Sequence, residues 1–238
     1  MPKFSTIHEN AIIRKGGEKE LNSLLSPVKS SKTLTRITDD RYLAEMTRCI
    51  FQAGFVWRVV NQKWDDFETA FFGFEPQKMV RLSPDQLDSL GKDKRIIRNM
   101  QKILSVPQNA QFILDEAQKH GSFSQMVANW PTSELNALFL RLKKSGARLG
   151  GMTGPRMLRS MGKDAYLLTP DVVHALRNAG LEISKTPGSQ RDLTTIQNTF
   201  NQWHQDTGLP YTHLSKICSY SVGENYSVEQ LNEFNTSA

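Results

Sequence analysis

Apolar residues recur at steps of three and four along most of the chain. From Thr38 onward, Leu43, Met46, Ile50, Ala53, Gly54, Trp57 and Val60 fall on one helical face, which predicts one amphipathic helix over 38–60, capped by Thr38 or Asp39. The same period predicts helices near 64–73, 84–91, 94–117, 122–128, 133–145, 154–162, 170–180, 190–206 and 211–222. Alternating β-branched runs and Asn-Gly or Asp-Gly hairpins are missing. The pattern predicts an all-α fold with short Gly/Pro punctuation. Residues 1–37 show no sustained period and read as a loosely packed N-terminal arm with one short helix at most. Residues 38–224 read as the helical domain and 225–238 as a polar C-terminal tail.

Composition narrows the partners. No apolar run approaches the roughly 20 residues that span a bilayer, and Met1–Lys15 lacks the apolar core of a signal peptide. A cytoplasmic protein without a membrane partner is expected. Two cysteines, Cys49 and Cys218, exclude four-cysteine zinc and iron–sulfur sites, and no His/Cys spacing fits a metal, so no metal ligands are assigned. Lys and Arg outnumber Asp and Glu by 30 to 24, which suits a polyanion through counterion release, although ordinary solubilising charge reads the same way. The surplus concentrates in "RLKKSGARLGGMTGPRMLR" (141–159), where Arg141, Lys143, Lys144, Arg148, Arg156 and Arg159 meet no acid. This stretch predicts helix, tight turn, helix. Unpaired N–H groups at the start of the second helix would make an anion site, and Gly150, Gly151 and Gly154 would let the backbone approach a phosphate.

Two stretches open helices in the same way. "LLTPDVVHALRNAGL" (167–181) and "RLSPDQLDSL" (81–90) each place a hydroxyl residue, a proline and an aspartate in sequence. Thr169 can cap, Pro170 suits the first helical position, and an anion at Asp171 gains from the helix dipole. Asp85 has every one of these gains. On local chemistry alone Asp171 is a capping acid.

"GGMTGPRMLRSMGKDAYLLTPDVVHALRNAGL" nevertheless resembles the signature of the helix–hairpin–helix DNA glycosylases, the HhH-GPD superfamily, with Leu149–Thr153 in the hairpin and Asp171 at the position of the essential aspartate. Gly150 stands where the usual hairpin proline would, and Thr153 or Gly154 where its last glycine would. Upstream, the motifs QAG-x-x-W, F-x-x-F-x-P, D-x-L-x-x-L, IIRN-x-x-KI and N-A are similar to the 3-methyladenine DNA glycosylase I family and appear as Gln52–Trp57, Phe71–Pro76, Asp85–Leu90, Ile96–Ile103 and Asn109–Ala110. The family's zinc ligands and N-terminal base-binding segment are missing here, and its base-reading glutamate falls at Cys49.

The resemblance implies a two-lobed helical fold with a helix–hairpin–helix motif and an active-site cleft between the lobes. It implies a monofunctional N-glycosylase of base excision repair that everts and excises an alkylated purine of the 3-methyladenine or 7-methylguanine kind. Asp171 would be the catalytic carboxylate, stabilising positive charge on the sugar. Trp57, Cys49, Phe55 and His174 would line the base pocket, although Phe55 also reads as a core residue. Gly151, Met152, Thr153, Gly154, Arg156, Lys144 and Arg148 would hold the strand. Gly154, Pro155 and Arg156 occupy the stretch where bifunctional members carry a Schiff-base lysine, so an intact abasic product is expected. The partner would be double-stranded DNA with damaged bases, met by a monomer. No cofactor is implied beyond Na⁺ or K⁺ on the hairpin backbone. A non-catalytic DNA-binding or damage-recognition module on the same scaffold is the alternative.

Overall fold

The computed structural model describes residues 3–237, with side chains to residue 232. Ala238 and the first two residues of the expected arm lie outside the described residues. The chain order begins α1 (Phe4–Lys15), α2 (Glu18–Ser23), α3 (Ser31–Leu34), α4 (Asp39–Gln52), α5 (Trp57–Gln62), α6 (Trp64–Ala70), α7 (Pro76–Met79) and α8 (Pro84–Lys92). It continues with α9 (Met100–His120), α10 (Phe123–Asn129), α11 (Leu135–Ser145), α12 (Thr153–Met161), α13 (Pro170–Asn178), α14 (Gln190–Thr207), α15 (Tyr211–Tyr220) and α16 (Val228–Ser237). Among the described residues there is no strand, and no helix is long and apolar enough to cross a membrane. The protein is all-α, as the period predicts.

The chain forms two compact units. The first comprises Met1–Val28, Pro131–Asn136 and Asp164–Ser237. Its core includes the N-terminal stretch, which corrects the reading of a loosely packed arm: Phe4, Ile7 and Ala11 of α1 are buried, and α1 packs on α15. Phe4 sits 5.1 Å from the Trp203 ring, and Tyr166 stacks on Phe200 at 4.6 Å. Asp164 accepts from the free N–H groups of Tyr211 and Thr212 at 3.1 and 2.8 Å, satisfying donors that open α15. Arg14 binds the carbonyls of Tyr220 and Gly223 at 3.0 and 2.7 Å, and Lys15 that of Tyr226 at 2.8 Å. The 221–226 segment is therefore fastened to the end of α1. Beyond it, much of the expected polar tail is helical, as α16.

The second unit comprises Lys29–Trp130 and Ala137–Lys163. Its central helix is α4, against which α9 and α12 pack; Tyr42, Leu43, Met46 and Phe51 are fully buried along it. An aromatic cluster closes one side, with Phe51 4.7 Å from Phe67 and Trp64 stacked on Phe74 at 5.5 Å. The single helix expected over 38–60 is broken. Ala53–Val56 leave helical geometry, with Gly54 at φ +71, a conformation open to glycine at little cost.

Candidate functional site

The break between α4 and α5 is held by a buried lysine. Lys102, 8 % exposed, donates to the carbonyls of Phe51 and Ala53 at 3.2 and 2.8 Å, partnering acceptors at the C-terminal end of α4. Burial lowers the affinity of this ammonium for its proton, and nearby Arg148 adds to the effect. The clamp fixes the exposed loop 53–56 and makes Trp57 the first residue of α5, half-buried. Phe55 and Val56 are 44 % and 60 % exposed at the loop tip. Phe55 is therefore neither a core side chain nor a sheltered pocket wall.

Helix α12 brings Arg156 onto Trp57, the guanidinium lying 5.0 Å from the ring centroid. No carboxylate pairs with Arg156 among the described residues. Cys49 lies inside α4, 8 % exposed, with its Sγ 3.5 Å from Glu45 Oε1. Burial pushes the Cys49 thiol far up and Glu45 adds to the shift, against weaker opposing effects of Arg156 and Arg48. The sulfur is thus a neutral thiol, unsuited to nucleophilic work. Glu45 also lies 3.8 Å from Arg48 Nε, and Arg48 stacks over Trp64 at 4.3 Å. The structure adds Glu45 and Arg48 to the surroundings of Cys49 and Trp57. The available signal was spacing on α4: Glu45 lies one turn before Cys49 and three residues before Arg48.

The expected hairpin is present, with its free amides one step earlier than predicted. Thr153 and Gly154 donate to the carbonyls of Gly150 and Leu149 at 3.3 and 3.2 Å, so the first turn of α12 does not leave these groups free. The N–H groups of Gly150, Gly151 and Met152 have no acceptor among the described residues. Gly151 takes φ +59, and a Cβ on Gly154 would come within 2.6 Å of the Leu149 carbonyl oxygen, so both positions need glycine. Lys144 and Arg148 are exposed beside the turn. Asn109, fully buried, clamps Ala147 from both sides, accepting from its N–H at 2.8 Å and donating to its carbonyl at 3.1 Å. In the sequence Asn109 stands only as part of the N-A motif, a pattern that does not reveal this clamp.

Asp171 belongs to the first unit. Thr169 caps α13 by accepting from Val172 N–H at 3.3 Å. Asp171 is exposed, and its carboxylate accepts no hydrogen bond among the described residues. The carboxylate lies against the main chain at Gly223, where an added Cβ would be 2.8 Å from Oδ1. His174, one turn on, is exposed rather than part of the core. Among the described residues no group of His, Cys, Asp and Glu could hold a metal ion.

Residues 34–146 match the family model described as methyladenine glycosylase. Over this stretch the chain is similar to the methyladenine glycosylases. It is 29 % identical over 136 residues to DNA-3-methyladenine glycosylase 1 of Escherichia coli K12, covering 49 % of this chain and 72 % of that protein. In fold it resembles the 8-oxoguanine DNA glycosylase of Methanocaldococcus jannaschii, with TM-score 0.54 at 14 % identity over 94 % of this chain and 95 % of the other. The structure of the 8-oxoguanine glycosylase/lyase from the same organism, in complex with a 15mer DNA containing 8-oxoguanine, matches with TM-score 0.51 at 13 % identity, covering 93 % and 100 %. The helical DNA glycosylase fold thus extends over nearly the whole chain, while the methyladenine match covers Trp57, Cys49, Lys102, Asn109 and Lys144.

Proposed function

We propose that this chain is a monofunctional DNA N-glycosylase of base excision repair that everts and excises a cationic alkylated purine, with Asp171 as its catalytic carboxylate. The observation that carries the reading is Trp57: within the methyladenine-matching segment, an indole at the start of α5 presents a ring face on which a planar cation already rests. A base turned out of the duplex needs such a stacking surface to offset the few kcal/mol lost on unstacking. Cleavage of the glycosidic bond builds positive charge on the sugar, and a fixed carboxylate stabilises it and can orient water. An alkylated purine that is already cationic leaves as a neutral base, so little further activation is required.

Strand binding falls to the free amides of Gly150, Gly151 and Met152, with Lys144 and Arg148 beside them. A monovalent cation fits the same turn. Pro155 lacks the N–H that would otherwise bond the Gly151 carbonyl, and this oxygen has no donor among the described residues. The main-chain oxygens of Gly151 and its neighbours would hold Na⁺ or K⁺, supplying positive charge toward a phosphate. No lysine lies in the hairpin, and the next one, Lys163, is buried and donates to the Trp130 carbonyl at 2.6 Å. A Schiff-base nick is therefore not expected.

A non-catalytic damage-recognition module is the second reading, favoured by the neutral Cys49 thiol where the resembling family reads its base with a carboxylate. The deciding experiment is base release from duplexes carrying 3-methyladenine, 7-methylguanine, hypoxanthine and ethenoadenine, followed by strand scission with and without alkali. Release of an alkylpurine with alkali-dependent scission supports the enzyme. Tight duplex binding without release of any base supports the module, and scission without alkali contradicts the lysine argument.

A further inference from the structure

Arg156 is placed oddly for a strand-binding residue. It lies on the basic hairpin helix, yet its guanidinium is turned inward over Trp57 at 5.0 Å and meets no carboxylate among the described residues. A planar cation over an indole is a favourable electrostatic contact, and it occupies the surface an everted base would need. We propose that Arg156 is a placeholder on the Trp57 face: a planar cationic base displaces it, and the released guanidinium then serves the DNA phosphates. This rests on the glycosylase reading and deepens it by naming a residue that sets both substrate charge and coupling to the strand.

Two features favour exchange over a permanent cover. Among the described residues Arg156 has no hydrogen-bonded anchor other than its own helix backbone, so leaving the ring breaks one stacking contact and no ion pair there. A carboxylate remains on the adjoining α4, where Glu45 touches Cys49 and Cys49 feels the charge of both Glu45 and Arg156. Once the guanidinium departs, Glu45 is left to favour an incoming cation. While Arg156 stays, it repels one.

The test uses the full chain with 7-methylguanosine, held as its cation below neutral pH, and guanosine as the neutral counterpart. Binding is read from the Trp57 indole resonance, assigned with Trp57→Phe. Arg156→Ala is expected to tighten 7-methylguanosine by about three- to thirty-fold, the range of one cation–π contact, and guanosine by less. The same variant is expected to weaken duplex binding and lower its salt slope by about one. Arg156→Lys, which retains charge without the planar stack, should keep the salt slope and gain part of the nucleoside affinity. Should Arg156→Ala fail to fold, Arg156→Lys still decides: no gain in nucleoside affinity overturns the placeholder. Unchanged or weaker nucleoside binding in either folded variant, with base release by the wild-type protein intact, also overturns it. If the wild-type protein releases no base from any damaged duplex, the glycosylase reading itself fails, whatever the Arg156 variants do.

Discussion

The helices at Pro84 and Pro170 start alike. Ser83 and Thr169 cap them, accepting from Gln86 N–H at 3.2 Å and Val172 N–H at 3.3 Å. Proline follows each cap, and the exposed Asp85 and Asp171 come next. Their surroundings differ. Asp85 lines an open groove of about 400 Å³ with Phe72, Leu82 and Arg95. Asp171 lies against backbone, at a glycine whose side chain could not exist without striking the carboxylate. Groove volume alone would choose Asp85. What distinguishes Asp171 is its place after the hairpin in the chain and a tightly fitted neighbour in the 221–226 segment, which Arg14 and Lys15 fasten. A helix N-terminus makes a carboxylate comfortable; only its context can make it useful.

The strongest way to break this comparison is to neutralise both acids. Asp171→Asn is expected to lower the rate of base excision by about a hundred-fold or more, the scale of losing one preorganised electrostatic contact to a transition state, while duplex affinity persists. Asp85→Asn should leave excision unchanged. Each should cost a similar 0.3–1 kcal/mol or so of stability through the helix dipole, measured by urea unfolding. Equal loss of excision in the two variants would remove Asp171 from the chemistry.

Much of this contrast was legible before the fold was known. Thr169, Pro170 and Asp171 announce a helix start by residue type, and Gly150, Gly151 and Gly154 announce a tight turn, because both signals are local. The break after Gln52 was hidden, since Ala53 and Gly54 continue the apolar period of α4 while Lys102, about fifty positions on, supplies the donor that makes the break stable. The packing of the N-terminal stretch is hidden for a similar reason. Phe4, Ile7 and Ala11 do keep helical spacing, but the surface that buries them is α15, at the far end of the chain. The inward turn of Arg156 onto Trp57 depends on α12 packing against α4, and no residue type in "GPRMLR" encodes it. Local chemistry was readable; contacts between distant segments were not.

Substituting one glycine beside each acid-bearing helix gives a smaller, sharper test. Gly223→Ala combines an unfavourable φ of +70 with a clash at Asp171 Oδ1. It should cost about 1–2 kcal/mol and lower kcat about ten-fold by misplacing the carboxylate, since small displacements of catalytic groups are expensive. Gly91→Ala is the counterpart on α8, where the new Cβ would meet only the terminal methyl of Met100, a flexible side chain. It should leave both excision and the setting of Asp85 unchanged. A Gly223→Ala protein with full kcat would show that the approach of the 221–226 backbone does not position Asp171.

The smallest effect separates the caps themselves. Ser83 forms a reciprocal box, its side chain accepting from Gln86 N–H while its own N–H donates to Gln86 Oε1 at 2.9 Å; Thr169 makes a single, longer bond. Removing a capping hydroxyl typically costs about 1 kcal/mol, so Ser83→Ala should fall at or above that figure and Thr169→Ala below it. Excision should follow the opposite order. Ser83→Ala should leave the rate untouched, because the proposed reaction uses no side chain of α8. Thr169→Ala frees the first turn of α13, which holds Asp171, and should lower excision two- to three-fold or so, at a stability cost smaller than that of Ser83→Ala. A double substitution, Thr169→Ala with Asp171→Asn, then decides whether the cap acts through the carboxylate: if it does, the Thr169→Ala effect on excision disappears in the Asp171→Asn background while its effect on unfolding remains.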